Sequence, residues 1–174
     1  MVRDLHPMPA GTPSDRGRMS QVMTLWMKLK GKPLGKWLFA RAICWKAPYF
    51  SSISPSFLEL KPGYARVSLR KRRAVENHIG TVHAIAACNL AELGAGTMME
   101  ASLPANMRWL PKGMSVQYVK KCETDLIAEC TASDIAEGPA RDVVVGVDMK
   151  DTLGNLVVHA DITMYVSPRK KIVA

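Results

Sequence analysis

Cysteine is scarce and unpatterned in this chain. Cys44, Cys88, Cys122 and Cys130 form no CxxC pair and no Cys/His spacing suited to zinc, which argues for reduced thiols of a cytosolic protein and against a structural metal. His159 and Asp161 share one side of a late strand, but two ligands without a third make no metal site. Aromatic residues amount to 6% and do not interleave with the basic clusters, so a stacking surface for single-stranded nucleic acid is disfavoured. No apolar run approaches the roughly 20 residues that span a bilayer. Asp4 and scattered prolines stand where a signal peptide would have its apolar core. A soluble cytoplasmic protein is expected.

What is present is length, hydrophobicity and positive charge. At 174 residues, the chain suits one domain with a full core. A hydrophobic content of 48% excludes a disordered chain. A net charge of +9 favours an anionic partner: nucleic acid, a phosphate-bearing ligand or an acidic membrane.

Residues 1–19 are rich in Pro, Gly, Ser and charge, and are expected to form a mobile leader. Residues 20–50 carry apolar positions at helical spacing, broken at Gly31-Lys32-Pro33 and Gly35, which predicts two short amphipathic helices. Their polar faces hold Lys28, Lys30, Lys32, Lys36, Arg41 and Lys46; peripheral contact with an anionic membrane and a merely solvated basic face are both open. From Phe57 the period becomes two. Leu58 and Leu60, then Ala65, Val67 and Leu69, alternate with polar residues around Pro62-Gly63, predicting a hairpin. Later strands are expected at Thr97–Leu103, Met114–Tyr118, Leu126–Ser133, Val143–Met149 and Val158–Val166, with a turn over Asp151–Asn155. One helix among antiparallel strands is α+β architecture, with the sheet wrapped on the helix.

That helix is the centre of interest. From Val82 to Leu93 only His83, Asn89 and Glu92 are strongly polar, and a helix apolar all round is normally buried. An ionised carboxylate in a core finds donors, shifts its pKa or has a function. Glu92 is therefore the first catalytic candidate; its structural alternative is an interface carboxylate paired with Arg or Lys. Nine helical residues rise roughly 13 Å and turn half a revolution. His83 and Glu92 of one regular helix therefore cannot face the same small group. Either His83 lies in the preceding loop, or the site joins Glu92 of one subunit to the turn of another.

The order of a Pro62-Gly63 hairpin, then Asn77-x-x-Gly80-x-x-His83, then a helix carrying Leu90-Ala91-Glu92 resembles the hotdog-fold acyl-CoA thioesterases, the phenylacetate-pathway type in particular. The strand order over Phe57 to Val166 follows the same pattern. Ala47-Pro48-Tyr49, Asn77-His78 and Arg108-Trp109 further resemble a mostly uncharacterised branch of that superfamily. The resemblance implies a hotdog domain over residues 51–174, acyl-CoA or a related thioester as substrate, and sites at the interface of a homodimer or dimer of dimers. No separate cofactor is implied, since coenzyme A is part of the substrate.

Carried over by position, the resemblance implies Glu92 as general base or nucleophile, with Asn77 placing the carbonyl or water. His83 fixes the turn or assists the leaving thiolate. Gly80, Thr81, Ala84, Ile85 and Asn89 line the substrate site, with Asn89 orienting Glu92. The family has glycines where Ala84 and Ile85 stand, and a backbone N–H there polarises the thioester carbonyl. The N–H survives any side chain, while a Cβ narrows the approach. Plainer roles stand beside these: Asn77 closing an Asx-turn, Thr81 as N-cap, Gly80 as a backbone necessity. Arg72, Arg73, Lys120 and Lys121 are candidates for the phosphates of coenzyme A. A non-catalytic acyl-binding protein is the alternative from another class, and a hydratase or dehydratase on acyl thioesters is a second rival.

Overall fold

The computed structural model describes residues 19–133 and 135–169, so the expected leader lies, but for Met19, outside the described residues. Helix α1 (Gln21–Leu29) begins where the Ser20 hydroxyl accepts the Met23 N–H at 3.1 Å, a serine N-cap that satisfies one orphan donor. Helix α2 (Gly35–Lys46) follows the predicted break at Gly31-Lys32-Pro33. Gly35 is required there, because a Cβ would collide with the carbonyl oxygen of Leu29. The two helices are pinned to the rest by an edge-to-face chain of aromatic rings, with Trp26 to Phe39 at 5.1 Å and Phe39 to Phe57 at 4.9 Å between centroids. Each such pair contributes about 1 kcal/mol beyond its buried area.

A short 3-10 segment, Pro48–Ile53, leads into the predicted hairpin of β1 (Ser56–Lys61) and β2 (Tyr64–Leu69), turned at Gly63 with φ +74°. Helix α3 (Ala84–Ser102) comes next, followed by β3 (Met107–Tyr118), β4 (Leu126–Thr131), β5 (Arg141–Lys150) and β6 (Leu156–Pro168). The strands form one antiparallel sheet in the order β1-β2-β4-β5-β6-β3. Alternate residues such as Val67, Ala128, Val147 and Ala160 are buried, while their neighbours face outward, the pattern of a sheet covered on one face. The strands close this face over α3, β2 and β4 most intimately and β3 through Trp109 at its start. The α+β hotdog arrangement is thus present, with an N-terminal helical extension packed on β1.

Two element boundaries depart from the sequence pattern. The strand expected over Thr97–Leu103 is the last part of α3. Gly94 and Gly96 do not break that helix; they let the sheet approach it. A Cβ on Gly94 would lie 2.5 Å from the Cys130 Sγ, and one on Gly96 2.9 Å from the Trp109 ring. Strand β3 also starts earlier than its alternation suggests, running through Pro111, where a register shift lets an edge strand absorb the missing N–H. All four cysteines are free thiols.

Candidate functional site

The turn before α3 is built by Asn77. Its Oδ1 accepts the backbone N–H groups of Ile79 and Thr81, both at 3.1 Å, and its Nδ2 donates to the Thr81 hydroxyl at 2.8 Å. Asn77 is therefore the Asx-turn residue of the plainer alternative, with both ends of its amide engaged. Gly80 sits at φ +78°, a left-handed conformation that side chains resist. Thr81 is buried and is not the N-cap. His83 takes that place: its Nδ1 accepts the Ile85 N–H at 3.1 Å. His83 thus lies just before the helix, as one of the two geometric alternatives required. With Nδ1 an acceptor, Nε2 carries no partner among the described residues.

The turn is clamped from both sides. The His83 N–H donates to the Val75 carbonyl and the Val82 N–H to the Cys122 carbonyl, each at 2.8 Å. Those bonds bring exposed Arg73 from one flank and exposed Lys120 and Lys121 from the other close to the start of α3. Arg72 faces elsewhere: its guanidinium donates to the Ser52 carbonyl and the Ser54 hydroxyl, both at 3.1 Å. At the helix start the Ala84 N–H finds no acceptor among the described residues, so it is an orphan donor at the positive end of a 19-residue helix.

Asn89 and Glu92 part company. Asn89 is buried, and its Nδ2 donates to the Ser52 hydroxyl at 3.1 Å. It does not orient Glu92, because helix rotation over three residues aims it at the 3-10 segment instead. Its Oδ1 is buried without a partner. A cavity of about 190 Å³ lies here, lined by Tyr49, Ser52, Glu76, His83, Ile85 and Asn89 among others. Glu92, by contrast, is exposed within the chain and makes no hydrogen bond or ion pair among the described residues. The expected burial fails for a definite reason: Ile85, Cys88 and Glu92 form a stripe that the sheet of the same chain leaves open.

What borders that stripe is the edge strand β3. Sequence reasoning gave no signal for its contact, a hydrogen bond of 3.2 Å between Cys88 Sγ and Tyr118 Oη. This bond, with burial second, holds the Tyr118 phenol up at about 12. Beyond Trp109, β3 is exposed along almost its whole length, with Leu110 at 60% and Tyr118 at 53%. A long unpaired edge with apolar side chains is a template for another strand. Ala84 and Glu92 stand about 12 Å apart along the helix axis, so the donor and the carboxylate of one chain do not converge.

The family described as a domain of unknown function, DUF4442, matches residues 35–166. The chain belongs to the DUF4442 family. A solved structure of the protein APC5556 shares 48% identity with it, covering 87% of this chain and 99% of its own, with a TM-score of 0.74. PA5026 from Pseudomonas aeruginosa, described as a probable thioesterase, shares 21% identity over 76% of this chain and 96% of its own, with a TM-score of 0.68. The thioesterase HI1161 from Haemophilus influenzae shares 11% over 72% and 87%, with a TM-score of 0.63. At these identities the last two establish the hotdog fold alone. No curated protein matches the chain. The DUF4442 chain thus has the fold that its Asn77-to-Glu92 pattern resembles.

Proposed function

We propose that this DUF4442 protein hydrolyses an acyl thioester, with acyl-CoA as the substrate class, at a site shared between two subunits. The observation that supports this best is the complementary incompleteness of α3. One end offers an orphan N–H at Ala84, and the open stripe offers an unpartnered Glu92 beside an unpaired edge strand. A second copy paired along β3 would supply each half-site with what it lacks. The arrangement is a homodimer, or a dimer of such dimers.

In this site the thioester carbonyl oxygen accepts the Ala84 N–H, where the helix dipole favours developing negative charge. Glu92 of the second copy takes a proton from water as the water oxygen bonds to the carbonyl carbon. The C–S bond then breaks, and the proton held by Glu92 passes to the leaving thiolate, whose sulfur accepts a hydrogen bond from His83 Nε2–H. Direct attack by the Glu92 carboxylate, giving an anhydride that water then opens, uses the same geometry. Asn77 acts by holding the turn, since its amide is already committed. Arg73, Lys120 and Lys121 are the cations placed to meet the phosphates of coenzyme A; Arg72 is tied to the 3-10 segment. Coenzyme A enters only as part of the substrate.

One observation favours a second reading. Ile85 is 56% exposed at the mouth of the turn, where it narrows the approach that glycine leaves free, and a protein that binds acyl thioesters without turnover would tolerate this. A panel of acyl-CoA thioesters, assayed for free thiol, decides between them. Hydrolysis lost in a folded Glu92→Ala variant is the expected result. Tight binding with no turnover at any chain length would assign the binding role.

A further inference from the structure

The outward face of the N-terminal helices is unlike the rest of the surface. Trp45 is 88% exposed, Leu34 75%, Trp37 58% and Leu38 46%. At about 100° per residue, positions 37, 38, 41 and 45 fall within one arc of roughly 100° on α2. The rest of the same helix carries Phe39, Ala40 and Cys44 into the core. So part of the apolar surface of α2 is spent on packing and part is left in water. Lone exposed apolar residues are ordinary, but a cluster of two tryptophans and two leucines marks an interaction surface.

The charge around this cluster has one sign. Between residues 16 and 58 the sequence contains no Asp or Glu. Lys28, Lys30, Lys32, Lys36, Arg41 and Lys46 are all exposed. Lys36 is tied to the Leu58 carbonyl at 2.9 Å, and Arg41 lies 5.8 Å from the centre of the Trp37 ring. None of the six makes an ion pair among the described residues. A two-fold self-contact through this face would set Lys30, Lys32, Arg41 and Lys46 against the same cations of the second copy, which disfavours a second copy as its occupant. Aliphatic Leu34 and Leu38 contribute nothing to base stacking, whereas Trp, Leu and basic residues together are what a bilayer interface accommodates.

We propose that this face, Trp37, Leu38 and Trp45 ringed by Lys30, Lys32, Arg41 and Lys46, docks the protein on the surface of an anionic lipid bilayer. The indoles and Leu38 enter the headgroup boundary while the cations meet the lipid phosphates. The helices pack on β1, and their other flank, with Lys28 and Lys46, lines a cavity shared with Met107 and Trp109 at the start of β3. Tyr49, 71% exposed just past α2, lines the cavity that also holds His83 and Asn89. The docked face therefore adjoins the mouth of that cavity. This inference stands without the thioester reading.

The test is partition of the full chain onto vesicles, by sedimentation and by tryptophan emission. Vesicles of phosphatidylcholine alone are compared with vesicles containing about one-third phosphatidylglycerol. Binding to the anionic vesicles only, with a blue shift and loss at high salt, is expected. Trp37→Ser with Trp45→Ser, both at exposed positions, should weaken partition at least tenfold with thermal melting unchanged. Lys30→Gln with Lys32→Gln should weaken it on the order of 25-fold, at roughly fivefold per cation. Three results would each overturn the proposal: no partition at low salt; partition that neither double variant lowers; or a concentration-dependent rise in mass, abolished by the tryptophan variants, without vesicle binding.

Discussion

A shared site can be distinguished from a self-contained one by mixing two inactive subunits. The Asn77→Ala variant loses the three hydrogen bonds that shape the turn, at about 0.5–1.5 kcal/mol net each. The sum, roughly 1.5–4.5 kcal/mol, disorders the turn while leaving a domain of ordinary stability folded. The Glu92→Ala variant removes the proposed base, for a loss of roughly 10²–10⁴ in rate, at an exposed position where folding is unaffected. If each site takes its turn from one chain and its carboxylate from the other, a heterodimer carries one site with both lesions and one with none. Random assembly from equal amounts makes half of the dimers mixed, so about one quarter of wild-type activity returns. Heterodimers isolated through two different affinity tags should reach about one half. The assay is thiol release from acyl-CoA after joint refolding or co-expression. No recovery in tag-purified heterodimers, with active wild-type controls treated identically, would refute the shared site.

Gly94→Ala sets a helix-propensity gain of about 1 kcal/mol against a contact of 2.5 Å with the Cys130 Sγ, where overpacking costs about 1–3 kcal/mol. Urea unfolding at fixed protein concentration should show net destabilisation that Cys130→Ala largely relieves; additive effects would count against the packing account. His159 titrates above its ordinary 6.5, first because its Nδ1 meets Asp148 Oδ1 at 2.7 Å, with the Asp161 charge adding. The stability from this raised pKa is complete below about pH 6.5 and is lost as pH rises through the folded value. NMR titration should place His159 above 6.5 and Asp148→Asn should bring it down, whereas an unmoved value would remove Asp148 as the cause.

Much of the fold was legible because its signals are local. Alternation of Ala65, Val67 and Leu69, or of Val143 to Met149, reflects a sheet with one covered face, and that period is written in each strand separately. The end of α3 was not legible, since Gly94 and Gly96 look like breakers until Cys130 and Trp109 are seen pressing on them. At the site, the pattern located the turn and helix but misjudged who holds whom. His83 rather than Thr81 caps α3, because the Val82 N–H is drawn off to Cys122 and the chain enters the helix later. Ser52, which anchors Asn89, and Tyr118, which bonds Cys88, lie far away in sequence and carried no spacing signal. The exposure of Glu92 depends on where the sheet stops, a property of the whole topology.

The 3-10 segment Pro48–Ile53 has a practical consequence for anyone who shortens this protein. Its Ser52 serves two masters: the hydroxyl accepts from Asn89 on α3, and the carbonyl accepts from Arg72 ahead of the turn. Through Phe39 and Phe57 the preceding helix is bolted to the first strand as well. Cutting at residue 50, where sequence composition puts a boundary, would sever a joint that sets the start of α3. A minimal chain should begin ahead of α1, because Trp26 of that helix is buried against Phe39.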